Sequence, residues 1–322
     1  MKRVNFYLGI IALIGLISSC SQHEEMADAG QESKTVTFNV GTDIQIGTRA
    51  ATEYNMPEGY KLRYIMAVYS QGSNAVIKRV EATADNMTRN VSLYTELDKG
   101  TYDIVFFADF IPKNATRGEN GLYTDKWWNT NLLRMGAKPT IKTQSDLLAR
   151  DAFSGVLPGV VKANDKISES VTLKRPWGRL NLVATDADPS SITKVEMEYI
   201  PMYGYYNART QEIEEGSGSI TRSFELSSPQ QNATILSDFL LTSKEGIITN
   251  KEITVKIYTD NLEIPYNTIE IPAGIPFKAN YITNIKGNFL DKENKSITYT
   301  LTVNTAFDGT NDRNTAGEEI NP

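Results

Sequence analysis

The chain has 322 residues, with 33 Lys and Arg against 39 Asp and Glu, which gives a formal net charge of -6. This acidic balance argues against nucleic-acid binding, because such binding depends on neutralising phosphates. The chain contains one Cys, Cys20, and one His, His23. A single Cys excludes an internal disulfide, so packing and sheet hydrogen bonds must stabilise the fold.

The N terminus has the features of an export signal. Lys2 and Arg3 precede an apolar stretch from Phe6 to Ile17, which is shorter than the roughly 20 residues of a membrane-spanning helix and typical of a signal peptide. The stretch ends in Ile17-Ser-Ser-Cys20, which resembles a bacterial lipobox. The resemblance implies that the Cys20 thiol is acylated and becomes the new N terminus. The alternative is an ordinary signal peptide with an incidental Cys.

The segment 20–34 is polar and acidic, which predicts a disordered tether. No Asp directly follows Cys20, so the common inner-membrane retention signal is absent. The acidic residues after Cys20 resemble the surface-export signal of Bacteroidota lipoproteins. We therefore expect a lipid-anchored protein of the outer membrane, exposed at the cell surface. His23 lies in this tether, which leaves no imidazole for a folded catalytic or metal site.

The body of the chain shows the period of two that is typical of half-buried strands. In the first strand, Val36, Phe38 and Val40 alternate with polar residues. Val171–Val183 holds two strand-like halves, which we expect Pro176 and Gly178 to separate. The remaining predicted strands are Leu62–Val68, Val91–Leu93, Tyr102–Phe107, Lys194–Ile200, Ile220–Leu226, Ile253–Tyr258, Thr268–Ile271, Tyr281–Phe289 and Ile297–Val303.

Short strands with Pro, Gly and Asn turns predict an all-β fold of β-sandwich modules with little helix. The best helix candidate is Thr143–Arg150, and the stretch Pro112–Asp146 is the least regular. The expected organisation is a signal peptide (1–19), the tether (20–34), an N-terminal domain (35–175), a C-terminal domain (176–308) and a polar tail (309–322).

Several motifs, in order, resemble the fimbrillin-like proteins of Bacteroidales. The lipobox, tether and first strand are followed by Thr48-Arg49-Ala50. Leu97–Asp109 contains a Gly-Xaa-Tyr turn leading into an apolar run, and Asp151–Gly155 followed by Val171–Asn181 resembles the passage between the family's two domains. The resemblance covers about residues 35 to 308. It implies two tandem transthyretin-like β-sandwich domains and a relation to type V pili.

The family's assembly scheme implies particular roles for the N-terminal residues. Fimbrillins exchange strands after a trypsin-like protease cuts behind an Arg, and here the cut would fall between Arg49 and Ala50. Thr35–Val40 would then be the departing strand. The alternative is that Arg49 is a solvated loop residue and that the first strand stays, as in anchor or accessory subunits. The polar end Thr305–Pro322 lacks an alternating donor strand, which favours an end or accessory role.

The chain carries no recognisable catalytic motif, and we expect neither enzymatic activity, nor a cofactor, nor a metal site. Ser-His, Cys-His and zinc arrangements are excluded by the positions of Cys20 and His23. A carboxylate pair for sugar hydrolysis is assembled by folding, so spacing does not exclude it. Glu212, Glu214 and Glu215 are interpreted as a solvated hairpin end.

Two aromatic clusters leave a choice between packing and ligand contact. These are Trp127 with Trp128, and the group Tyr203, Tyr205 and Tyr206. If exposed, they would stack on sugars or contact a protein partner, and the chain would be a glycan-binding lipoprotein of a polysaccharide-uptake system. The leading hypothesis is a non-enzymatic adhesin, or an anchor or accessory pilus component. Its expected partners are the membrane, other pilus subunits and a host protein or glycan.

Overall fold

The computed structural model describes residues 35–42, 56–85, 90–138, 148–163, 166–199, 203–215, 219–242, 247–248, 253–293 and 297–302. These ranges are built from β-strands, which confirms the all-β prediction. Of the predicted helix Thr143–Arg150, only Leu148–Arg150 lie within them, and Ala149 and Arg150 form a turn. None of the described segments forms a helix that is long and apolar enough to cross a membrane.

The described strands divide among several sheets, and in chain order they are β1 (Thr35–Thr42), β2 (Tyr60–Ser70), β3 (Val76–Ala84), β4 (Asn90–Glu96), β5 (Gly100–Pro112), β6 (Trp128–Asn129), β7 (Gly136–Ala137), β8 (Ala152–Lys162), β9 (Ile167–Leu173), β10 (Trp177–Ala184), β11 (Lys194–Tyr199), β12 (Tyr203–Asn207), β13 (Glu212–Glu215), β14 (Ile220–Glu225), β15 (Thr234–Leu241), β16 (Ile247–Ile248), β17 (Ile253–Tyr258), β18 (Asn267–Ile271), β19 (Pro276–Phe277), β20 (Ile282–Gly287) and β21 (Ile297–Thr302).

The first sandwich consists of two sheets that share one core. A three-stranded sheet has the order β4-β1-β9, and a four-stranded sheet has the order β3-β2-β5-β8. Strands β2 and β5 are mostly apolar and buried along almost their whole length, and each lies between two other strands of its sheet. Phe38 of β1 meets Phe106 of β5 edge to face across the core, with ring centroids 5.5 Å apart.

The second sandwich consists of two four-stranded sheets around a separate core. Its sheets have the orders β15-β10-β20-β21 and β14-β11-β17-β18. Strand β11 alternates strictly, with Val195 and Met197 fully buried, so one of its faces packs against Leu180 and Leu182 of β10 in the shared core. The burial of these side chains is the main stabilising contribution, because the chain has a single Cys and thus no internal disulfide.

The irregular stretch after β5 is fixed to the first sandwich by a buried Arg. Arg63 of β2 donates to Asp109 of β5 at 2.7 Å and to Asp125 of the loop at 3.0 Å. The charges of these carboxylates outweigh burial and raise the pKa of Arg63 above its ordinary value. The described part of the stretch that the sequence analysis found least regular is therefore held to the first sandwich by an ion pair.

The described strands include every predicted one, but nine strands were missed and one break was misplaced. The missed strands are β3, β8 and β15, the hairpin strands β12 and β13, and the two-residue strands β6, β7, β16 and β19. Pro176 lies between β9 and β10 as expected, whereas Gly178 lies inside β10 and pairs with Leu240. A Cβ at Gly178 would lie 2.7 Å from the carbonyl oxygen of Lys278, so the absence of a side chain allows this close approach.

The strands after Pro176 contribute to both cores. Trp177, Phe239 and Ile282 belong to the second group of strands, yet they pack into the first core. The two sandwiches therefore share a continuous interface. The division at residues 175 and 176 and the transthyretin-like topology stay predictions.

Truncating the most buried side chain of β1 tests its contribution to stability. Phe38 is fully buried against Phe106, so Phe38→Ala should lower the free energy of unfolding by about 3–5 kcal/mol in urea denaturation. Thr37→Ala on the opposite face of β1 is the matched control and should change it by about 0.5 kcal/mol or less. Equal losses in both variants would contradict the assigned orientation of β1.

Candidate functional site

The first strand occupies the centre of its sheet, although it comes first in the described chain. β1 pairs antiparallel with β4, from Thr35 opposite Glu96 to Gly41 opposite Asn90. It pairs parallel with β9, from Val36 opposite Ile167 onward. Because β4 and β9 each bond to β1 and lie on either side of it, β1 is the link that completes this sheet.

The alternation of β1 fixes which side chains fill the core. Val36, Phe38 and Val40 are all fully buried, while Thr37 and Asn39 are half-buried on the other face. Burying each of the three apolar side chains contributes about 1.5–3 kcal/mol. Removing β1 would leave two unpaired strand edges on either side of an apolar groove. Such a groove is suited to accept another strand.

The residues predicted for anchoring and cleavage lie outside the described part of the chain. Cys20 precedes β1, and Arg49 and Ala50 lie in the connection between β1 and β2. Lipidation at Cys20 and cleavage between Arg49 and Ala50 therefore stay predictions. Both flank β1 in the sequence, so β1 is the element on which they would act.

The two adjacent Trp residues pack inside the protein, and the ligand-contact interpretation is wrong for them. Trp127 and Trp128 are 3% and 2% exposed. The ring of Trp128 stacks on Trp177 at a centroid distance of 4.6 Å and an interplanar angle of 9°. Its indole N–H donates to the carbonyl oxygen of Arg150 at 3.0 Å. Trp128 therefore connects the first sandwich to the start of β10.

The tyrosine cluster is likewise mostly used for packing. Tyr206 is 5% exposed and belongs to the first core, so its ring is used mainly for packing. Tyr205 is half-buried, and the guanidinium of Arg134 lies 3.5 Å from its ring centroid. The side chain of Tyr203 is outside the described residues.

Strands β12 and β13 form a hairpin that fastens the second sandwich to the first. Met135 and Tyr206 exchange backbone hydrogen bonds of 2.8 and 2.9 Å. At the hairpin turn, Arg209 donates to Asp103 of β5 at 2.8 Å. The predicted solvated cluster lies in strand β13, where Glu212 and Glu214 are exposed and Glu214 pairs with Arg134 at 3.0 Å. The β12–β13 hairpin therefore connects the two sandwiches.

A buried ionic cluster lies at the same interface and was missed at the sequence level. Asp238 of β15 accepts from Arg150 of the first half at 2.7 Å and from Arg222 of β14 at 2.7 Å. The hydroxyl of Tyr199 donates to the same carboxylate at 2.7 Å. Burial favours the neutral acid, but the two guanidinium charges and the hydrogen bonds outweigh it and lower the pKa of Asp238.

These contacts connect the two sandwiches. Each carboxylate of the interface is already engaged by a guanidinium: Asp238 by Arg150 and Arg222, and Asp151 by Arg175. Among the described residues, no group of three or more His, Cys, Asp or Glu is arranged to hold a metal ion. The one sequence signal for this cluster was an Asp inside the apolar run of β15.

Neutralising Asp238 tests the cluster. Asp238→Asn would leave Arg150 and Arg222 buried without their counter-charge, which should lower the free energy of unfolding by about 3–5 kcal/mol at pH 7. Asp260→Asn, at an exposed position, is the control and should leave stability unchanged.

The pH dependence gives a second readout of the same change. Because the pKa of Asp238 is lowered in the folded state, its contribution is complete above the ordinary value of 3.8 and is lost as the pH falls below it. The difference in unfolding free energy between wild type and Asp238→Asn should therefore shrink below that pH. A difference that is constant with pH would contradict the assigned charge state.

Comparison with solved structures finds bacterial proteins of similar fold. The chain resembles a candidate polysaccharide-binding protein (DUF1812) from Bacteroides thetaiotaomicron, with a TM-score of 0.50 and 9% identity over 84% of this chain and 96% of that one. A candidate cell adhesion protein from Bacteroides ovatus has a TM-score of 0.48 and 13% identity over 83% and 96% of the two chains. The C-terminally truncated tip fimbrial protein Mfa3 from Porphyromonas gingivalis has a TM-score of 0.43 and 11% identity over 84% and 99%.

Comparison of the sequence with models of protein families identifies the family of the chain. Curated protein sequences gave no match. The model of a family of unknown function, DUF6562, matches residues 28–320, which include every described strand. The chain therefore belongs to the DUF6562 family.

Proposed function

We propose that the chain is a non-enzymatic, fimbrillin-like surface lipoprotein that serves as an adhesin or as an anchor or accessory component of a type V-like pilus. The observation that carries this proposal is the central position of β1 between β4 and β9. The departure of an N-terminal strand from this position would open a groove for the strand of another subunit.

The position of Cys20 relative to β1 separates the two roles. The lipid and β1 lie on the same side of Arg49, and 14 residues separate Cys20 from Thr35. In an intact chain, the segment between Cys20 and Thr35 therefore connects the folded body to the membrane. This segment is at most about 50 Å long when fully extended. After a cut at Arg49, the body would be held to the lipid only through the non-covalent pairing of β1. An anchor keeps the covalent connection, whereas an exchanging subunit loses it.

Replacing the thiol tests the anchor. Cys20→Ala removes the only acylation site of the predicted lipobox, so the protein should leave the outer-membrane fraction and lose surface exposure on intact cells. Ser21→Ala, in the tether, is the control and should behave like the wild type. Membrane fractionation and surface proteolysis are the measurements. Continued outer-membrane attachment of Cys20→Ala would refute the lipid anchor.

Cleavage followed by peptide exchange tests the strand-exchange part of the proposal. A trypsin-like protease acting on the folded protein should produce a chain that begins at Ala50, as shown by N-terminal sequencing. The cut protein should then take up a labelled peptide with the sequence of residues 35–42. A peptide carrying Phe38→Asp should not bind, because its charge would enter the fully buried position of Phe38.

Arg49→Ala is the matched variant for this experiment, and it should neither yield the Ala50 terminus nor take up the peptide. If the wild type is cut at Arg49 and still excludes the native peptide, strand exchange is wrong and a permanent first strand remains. If no cut occurs on cells, the anchor role is favoured over the exchanging role.

A further inference from the structure

A cleft of about 450 Å³ lies where the two sandwiches meet. It is lined by residues of β8, by the end of β9 and the β9–β10 connection, by the β12–β13 hairpin, by Thr242 after β15 and by the turn before β20. Its volume is within the range of about 300–1,000 Å³ that is usual for small-ligand sites, which often lie at such junctions.

The wall of this cleft is rigid. Arg175 is 3% exposed, and its Nε donates to both carboxylate oxygens of Asp151 at 2.8 Å. Its Nη1 donates to Asn280 at 3.1 Å. Asn280 has a left-handed backbone, with φ of 68°, and its N–H donates to the carbonyl oxygen of Trp177 at 2.9 Å. The turn that carries Lys278 and Tyr281 is thus held in place before any ligand arrives, which reduces the entropy lost on binding.

The lining of the cleft is positively charged, although the whole chain has a net charge of -6. It includes Lys174, Arg175 and Lys278, and the described residues that line it include no Asp or Glu. The charge of Arg175 is balanced by Asp151, whereas the ammonium groups of Lys174 and Lys278 are on exposed side chains. A concave site with one sign of charge attracts ligands of the opposite sign.

The other lining groups suit a hydroxyl-rich ligand. Thr172 and Gln211 supply exposed polar side chains, and half-buried Tyr281 supplies an aromatic ring. The ammonium of Lys278 lies 4.8 Å from the centroid of that ring, so charge and aromatic surface are presented side by side. A sugar ring that carries an acidic group requires this combination, because it has apolar C–H faces, hydroxyl groups and one negative charge.

We propose that this cleft binds an anionic saccharide, that is, a sugar bearing a carboxylate or a sulfate. Lys174 and Lys278 pair with the acidic group, Tyr281 packs against the ring, and Gln211 and Thr172 bond to its hydroxyl groups. The site needs no displacement of β1, so it functions in the intact, anchored protein.

Calorimetric titration of the full-length chain tests this site. The probes are a galacturonic acid trisaccharide for the carboxylate, a sulfated heparin disaccharide for the sulfate, maltotriose as the neutral sugar and inorganic phosphate as the bare anion. We expect saturable binding of at least one acidic sugar, with weaker or no binding of maltotriose and phosphate. The affinity should fall with added NaCl, because salt screens the charge pairing.

The double variant Lys174→Gln/Lys278→Gln should weaken binding of the acidic sugar by about tenfold or more, a change of about 1.4 kcal/mol. Lys78→Gln/Lys113→Gln removes the same charge at exposed positions outside the cleft and should bind like the wild type. Tyr281→Ala should weaken sugar binding without creating phosphate binding. All variants should keep the wild-type unfolding midpoint.

Three results would overturn the proposal: no saturable binding of either acidic sugar, equal binding of maltotriose, or an unchanged affinity in the cleft variant. If phosphate binds as tightly as the acidic sugars, the cleft recognises an anion and not a saccharide. The titrations are made with Arg49→Ala, which keeps β1 covalently attached. Their outcome is therefore independent of strand exchange, and either proposal can fail without the other.

Discussion

The pairing of β1 on both of its edges is the interaction on which the first sandwich depends. β4 and β9 each find their backbone partner in β1, and the core closes over Val36, Phe38 and Val40. A strand that comes first in the described chain yet lies centrally in its sheet couples the N terminus to the integrity of the core. Displacement of β1 would therefore remove an element that the core requires.

The second constraint is the interface between the sandwiches. The stacked pair of Trp128 and Trp177, the charges around Asp238 and the β12–β13 hairpin all cross it. The first of these contributes dispersion and burial, whereas the ionic cluster contributes specificity, because a misplaced partner would leave a buried charge unpaired. The cleft proposed to bind acidic sugars is a consequence of this junction, since its wall is held by Arg175, Asp151 and Asn280.

The local hydrophobic pattern of the sequence was sufficient to predict the strands with regular alternation or a continuous apolar run, but it did not predict the others. The period of two revealed β1, and the continuous apolar run revealed the doubly buried β5. Strand β3 was missed because it is charged and exposed at the sheet edge, β8 because Pro158 and Gly159 interrupt it, and β15 because it carries Asp238. β8 and β15 also pair with strands that are distant in the sequence, β5 and β10 respectively.

The candidate site was harder to predict, for the same physical reason. An aromatic residue in an irregular segment is buried or exposed according to its partner, and the partner of Trp128 lies on another sandwich. Arg150 and Asp238 are 88 positions apart, and no local pattern pairs them. The lysines of the cleft also come together only in the folded chain.

The most direct test of the central claim is amide hydrogen exchange on the chain before and after cleavage between Arg49 and Ala50, under conditions that let the strand dissociate. The account predicts that protection falls in β4 and β9 and persists in the second sandwich. Protection should return when a peptide of the β1 sequence is added. Unchanged protection in β4 and β9, or its loss throughout the chain, would contradict the role assigned to β1.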